Sequence, residues 1–113
     1  MSRVYVVQQP AFYDREKRKF VSKYDLTPAA AHGQLVFMLG PGNIFKDRMA
    51  QATKQMSHIL ESYNEDDFIL AVGDPVAIAA AVLLAGERTG GKIKLLKWDR
   101  ISNGYEVFPI TTH

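Results

Sequence analysis

Two short segments of this chain, each directly after an apolar run, contain the residue types that bind anions. Gly40-Pro-Gly-Asn43 follows residues 35–39, and Gly73-Asp-Pro75 follows residues 68–72. Glycine lets backbone N–H groups approach a phosphate, and the first turn of a helix presents free N–H groups to it. We therefore predict a site for a nucleotide or a small anion where two strands end and two helices begin. Its residues are Gly40, Gly42, Asn43, Gly73 and Asp74.

Neither segment matches an established phosphate-binding signature. The dinucleotide fingerprint needs a third glycine where Phe45 stands, and the Gly-Lys-Ser/Thr of the P-loop is absent. Asp74 is also a good N-cap residue, so its carboxylate would bond the same N–H groups that an anion needs. That carboxylate could instead bind a ribose hydroxyl or a cation. A tight turn and a plain Asp-Pro cap therefore remain the alternative interpretations.

Basic residues interleaved with aromatic rings form a second candidate site. Such a combination binds nucleic acid, because the charges follow the phosphate backbone and the rings stack on bases. The alternative is that the lysines keep edge strands from pairing with other chains. If the two predicted hairpins lie side by side, they form one basic surface. The candidates are Arg15, Lys17, Arg18, Lys19 and Lys23 in one group, and Lys92, Lys94, Lys97, Trp98 and Arg100 in the other.

No set of residues is spaced for catalysis or for metal binding. The chain has no cysteine, and His32, His58 and His113 are not spaced as ligand pairs. Residues 65–67 are three consecutive acids, but they precede a predicted strand, at the edge opposite the expected ligand. We predict a solvated turn there. We also predict no metal ion and no cofactor, and we favour a non-enzymatic protein.

An α/β domain is needed to position these candidates. The unbroken apolar runs at residues 35–39 and 68–72 are typical of buried parallel strands. A helix is predicted after each run, the first capped by Asn43 and the second capped by Asp74, with Pro75 as its first residue.

Hairpins are predicted on both sides of this core. Residues 3–8 and 19–24 are predicted strands, and the second could return along the first as the other arm of a hairpin. Asn103-Gly104 predicts another hairpin, because both residues tolerate positive φ. The fold class is therefore α/β, a Rossmann-like mixed sheet with a β-α-β-α-β core and flanking hairpins, in two or three layers.

Size and composition restrict the class of protein. The chain has 113 residues, 47% of them hydrophobic, which predicts one globular domain over residues 1–113. No segment has the pattern of a signal peptide, and the apolar run at residues 76–85 is too short for a membrane span. With no cysteine, we expect a cytoplasmic protein. Charge is segregated: residues 1–24 carry +4, residues 25–87 carry −5 and residues 88–113 carry +3.

Three segments together resemble a family of small proteins of tailed bacteriophages. They are Lys23 to Phe37, with Lys-Tyr-Asp-Leu-Thr-Pro-Ala-Ala-Ala-His-Gly; Asp66 to Pro75, with Asp-Asp-Phe-Ile-Leu-Ala-Val-Gly-Asp-Pro; and Lys94 to Arg100, with Leu-Leu-Lys-Trp-Asp-Arg. The resemblance assigns no activity and no functional residues. It implies phage origin, expression in the host cytoplasm and a role in DNA metabolism, gene control or host takeover.

These observations favour a non-enzymatic phage accessory protein that binds a host protein or nucleic acid during infection. A binder of nucleotides or small anions at the strand ends is the first alternative, and a component of virion assembly is the second. The alanine-rich helix or an edge strand could support a homodimer. No membrane partner is expected.

Overall fold

A mixed five-stranded sheet forms the centre of the protein, and a separate two-stranded hairpin extends from it. The computed structural model describes residues 2–112. The strands are β1 (Arg3–Gln8), β2 (Ala11–Asp14), β3 (Lys19–Ser22), β4 (Gln34–Leu39), β5 (Phe68–Leu70), β6 (Lys92–Asp99) and β7 (Gly104–Thr111). The helices are α1 (Met49–Ile59) and α2 (Pro75–Thr89), with 3-10 turns at Thr27–His32, Lys46–Arg48 and Leu60–Ser62.

The order of the central sheet is β4-β1-β5-β6-β7. Its first four strands are parallel, and β7 returns antiparallel to β6 through a turn in which Asn103 has a φ of 54°. The α/β class, the mixed sheet and the Asn103-Gly104 hairpin are thus confirmed. The finer Rossmann-like assignment stays a prediction.

The first strand lies inside the sheet, so the predicted pairing of residues 3–8 with residues 19–24 is wrong. β1 runs parallel to β4 on one side and to β5 on the other. The reason is its composition: Val4, Tyr5, Val6 and Val7 are all buried, which requires cover on both faces of the strand. The strand that pairs with β3 is instead β2, which the sequence pattern did not indicate.

The two faces of the sheet are covered differently. On one face Tyr5, Val7 and Ile69 pack with the buried residues of α1 and α2. On the other face Val4, Val6 and Leu96 pack against Leu26 and Ala29, which belong to the 3-10 turn and its approach. One face therefore carries a full helical layer, and the other carries a single short turn.

Of the two predicted helix starts, the one at Asp74 is confirmed and the one at Asn43 is wrong. Asp74 caps α2 through its side chain, and Pro75 is the first residue of the helix, as predicted. Asn43 does not cap a helix: α1 begins at Met49, and Arg48 stands at its cap position without a side-chain bond. Residue Phe45 is still extended, so the loop after β4 runs several residues longer than expected.

One of the two edge strands of the sheet, β7, is long and has exposed apolar side chains. Val107, Phe108 and Ile110 on β7 are each about two-fifths exposed. Pro109 stands between them and has no N–H to donate to a further strand. An edge of this kind is a poor template for β-pairing with a second copy, and the predicted homodimer stays a prediction.

Asp67 is a buried structural residue, so the predicted solvated turn is wrong at this position. Its side chain is 1% exposed. Oδ1 accepts the backbone N–H of Arg3 at 2.9 Å, and Oδ2 accepts that of Asn64 at 3.0 Å. The carboxylate thus holds the amino end of β1 beside the turn that leads into β5.

We expect Asp67→Asn to lower the free energy of unfolding by about 1–3 kcal/mol, because the new NH2 group faces an N–H donor where an acceptor stood. Denaturant unfolding measures the change. Asp66→Asn is the matched control, because the carboxylate of Asp66 is exposed. We expect this variant to change the free energy of unfolding by less than about 0.5 kcal/mol. Equal losses in the two variants would contradict this role of Asp67.

Candidate functional site

Gln8, at the carboxyl end of β1, connects the two glycine-containing loops. Its side chain is 5% exposed. Nε2 donates to the carbonyl of Gly40 at 3.2 Å and also to the carbonyl of Gly42, while Oε1 accepts the backbone N–H of Asp74 at 2.9 Å. The reasoning from sequence missed this residue. The available signal was an amide directly after the apolar run of residues 4–7.

Two of the predicted glycines have a backbone reason to be glycine. Gly73 has a φ of +115°, and a Cβ there would overlap the Cβ of Gln8. Gly42 has a φ of +109° in open space. An L-residue rarely adopts either conformation. Gly40 has neither constraint, since nothing lies within 4 Å of the position of its Cβ.

The amino end of α2 is already occupied by its own cap. The Asp74 carboxylate accepts the N–H of Val76 at 2.8 Å and that of Ala77 at 3.4 Å. No helix begins within the Gly40-Pro-Gly-Asn43 segment that follows β4, since α1 starts only at Met49. In that segment the carbonyls of Gly40 and Gly42 are bonded to the Gln8 amide. The carboxyl edge therefore offers polar side chains and loop backbone, and not two free helix ends.

Four of the five predicted ligand residues line one cleft at this edge, of about 350 Å³. They are Gly42, Asn43, Gly73 and Asp74; Gly40 lines a neighbouring hollow beside α1. The cleft is also lined by Gln9 and Pro10, which follow β1, and by Lys23 and Tyr24, which follow β3. The cleft thus joins the predicted ligand residues to one of the predicted basic residues.

The first basic group lies on the hairpin, which with its flanking residues 11–24 we name the arm. Asp14 Oδ1 accepts the N–H groups of Glu16 and Lys17 at 2.9 and 3.2 Å, which shapes the turn. Arg15, Lys17, Arg18, Lys19 and Lys23 are all exposed. Within residues 2–112, none of these five forms an ion pair.

Aromatic rings on the arm are exposed as well. Phe12, Tyr13 and Phe20 are each about half exposed, and the rings of Tyr13 and Phe20 meet edge to face at 5.4 Å between centroids. Since successive residues of a strand point to opposite faces, Phe12 lies on one face of the arm and the Tyr13–Phe20 pair on the other. Both faces of the arm thus present rings beside the cations.

The second basic group is partly engaged in contacts within the protein. Lys92 pairs with Glu65 at 3.7 Å. Nζ of Lys94 lies 4.3 Å from the centre of the Phe68 ring, and Nζ of Lys97 lies 5.9 Å from that of Phe108. Such cation–ring contacts are each worth about 0.5–1 kcal/mol at exposed sites. Arg100 is exposed in the turn after β6.

Trp98 packs against Tyr105, with ring centroids 5.1 Å apart. Burial raises the pKa of Tyr105, and the nearby negative charge of Asp25 raises it further. The arm and the β6–β7 hairpin belong to separate sheets, so a single basic surface formed by both stays a prediction.

No group of three or more His, Asp or Glu side chains within residues 2–112 is arranged to hold a metal ion. His113 lies outside the described residues. In the same part of the chain, neither helix combines the length and the apolar character that a membrane span requires.

We expect Gln8→Leu to lower the free energy of unfolding by about 1–3 kcal/mol, because two carbonyls and one N–H lose their bonds to a buried amide. Gln9→Leu is the matched control. The Gln9 side chain is exposed and makes no hydrogen bond within the described residues, so its loss should change stability by less than about 0.5 kcal/mol. Thermal unfolding compares the two, and a neutral Gln8→Leu would show that the loops hold without the amide.

Comparison with known proteins places the chain in a family. The family described as Phage Pam3 gp32-like protein matches residues 2–112, which is nearly the whole chain. Neither the curated proteins nor the solved structures contain a significant match. The predicted resemblance to a phage protein family is thus confirmed, and this chain belongs to the Phage Pam3 gp32-like protein family.

Proposed function

We propose that this phage protein binds nucleic acid through the arm. One observation carries the proposal: all five cations of the arm are exposed and, within residues 2–112, free of ion pairs, while three half-exposed aromatic rings lie among them. The second basic group supports the interface only in part, since Lys92, Lys94 and Lys97 already contact Glu65 and two rings.

The charge of the arm suits a phosphate backbone. Residues 11–24 hold five Lys or Arg against Asp14 and Glu16, a net charge of +3. Asp14 is turned toward the backbone of the hairpin turn, where it accepts two N–H groups. Each phosphate that a cation neutralises releases condensed counterions, and this release supplies most of the sequence-independent affinity for nucleic acid.

The exposed aromatic rings of the arm also favour a binding partner. A two-stranded hairpin is marginally stable alone in water, and exposed rings on both of its faces bury little surface within the protein. A base stacked on an aromatic side chain contributes about 1–3 kcal/mol with little dependence on its identity. Charges and rings on one narrow ribbon therefore favour a nucleic acid over a flat protein surface.

We expect the variant R15Q/K17Q/R18Q to weaken binding and to reduce its salt dependence. Removing three contacts to single-strand phosphates should lower the slope of log K against log salt by about 2. The measurement is fluorescence anisotropy with labelled single-stranded DNA, duplex DNA and RNA, titrated from about 50 to 200 mM salt. Three cations of the other group provide the matched control, K92Q/K94Q/K97Q, which we expect to keep most of the slope.

Two results would overturn the proposal. One is the absence of binding by the unmodified protein to all three nucleic acids at low salt. The other is an equal loss of slope in both triple variants, which would attribute binding to net charge and not to the arm. A pull-down from infected-host lysate, with and without nuclease, tests the alternative of a host protein: capture that survives nuclease and requires the arm would replace nucleic acid with a protein.

A further inference from the structure

We infer that the cleft at the base of the arm holds the base of one unpaired nucleotide, so that the strand bound by the arm is single-stranded there. This inference rests on the proposed function, and it assigns a ligand to residues that the arm itself does not explain. The cleft and the arm are continuous, because Lys23 and Tyr24 belong to the end of the arm and also line the cleft.

The size and walls of the cleft suit a single ring system. Its volume of about 350 Å³ is near the lower end for small-molecule sites. Tyr24 lines it and is 57% exposed, so that a ring is available for stacking. Lys23 at the rim is exposed and, within residues 2–112, unpaired, so that it can meet the phosphate of the same nucleotide.

The polar groups in the cleft match the edge of a base. The side-chain amides of Gln9 and Asn43 are exposed and make no hydrogen bond within the described residues. Each amide can donate and accept at once, as the Watson–Crick edge of a base requires. The Asp74 carboxylate also lines the cleft, and both N–H groups of α2 that it accepts are bonded to Oδ1.

The cleft is already formed in the unbound protein. The Gln8 amide links the loop that carries Asn43 to the loop that carries Asp74, and Gly73 lies directly against Gln8. A site held in this way loses little conformational entropy when a ligand enters. A base that is stacked and paired in a duplex could enter only after leaving the helix, and that step carries an energetic cost. Preference for unpaired nucleotides follows.

The experiment compares one labelled strand of about 20 nucleotides in three forms: single-stranded, as a duplex, and as a single strand with abasic sites. We expect Asn43→Ala and Tyr24→Leu each to weaken single-strand binding about fivefold or more, and duplex binding by less than twofold. The loss from Asn43→Ala should vanish on the abasic strand, because that strand has no base edge to bond. Gln51→Ala, which removes an exposed amide on α1 outside the cleft, should bind like the unmodified protein.

Failure of this inference is distinguishable from failure of the proposed function. If binding depends on the arm but is equal for single strand and duplex, and Asn43→Ala has no effect, the cleft assignment is overturned and the arm stands. If no strand binds, both are overturned. A final titration uses mononucleotides alone: binding that requires Asn43, without any strand binding, would overturn the nucleic-acid function and assign the cleft to free nucleotides.

Discussion

The Gln8 side-chain amide makes hydrogen bonds to both loops that leave the carboxyl edge of the sheet, and the geometry of that edge depends on them. Its NH2 group holds the carbonyls of Gly40 and Gly42, and its oxygen holds the N–H of Asp74. The loop after β4 therefore closes on β1 before the chain turns toward α1. The start of α2 is fixed beside the same strand, and Gly73 is required because it touches Gln8.

The two basic hairpins have similar composition but different roles in the structure. The lysines of β6 lie on a strand paired on both sides, and they contact rings and an acid of the same domain. The arm has only its own two strands, and its cations have no such contacts within residues 2–112. Equivalent sequence patterns thus differ in how much of their charge is available to a partner.

The structural features that the sequence predicts well depend on neighbouring residues. The features that it misses depend on contacts between residues far apart along the chain. The Asp74-Pro75 cap and the Asn103 turn follow from neighbouring residues, and both were predicted correctly. The sequence distance from Gln8 to Asp74 is 66 residues, and from Asp67 to Arg3 it is 64, so no spacing rule could pair them. The same reason explains the mistaken hairpin: the burial of β1 on both faces comes from β4, β5 and the layers around them, which a hairpin interpretation leaves out.

The separation of the arm from the central sheet has a consequence for the dynamics of the protein. Four cross-strand pairs hold β2 to β3 within the arm. The base of the arm is connected to the rest of the chain mainly around Pro10, whose carbonyl accepts the N–H of Lys23 at 2.7 Å. Such a ribbon can open without unfolding the sheet, as an independent cooperative unit. Its amide hydrogens should then exchange with solvent far faster than those of β1, and a bound strand should slow them selectively.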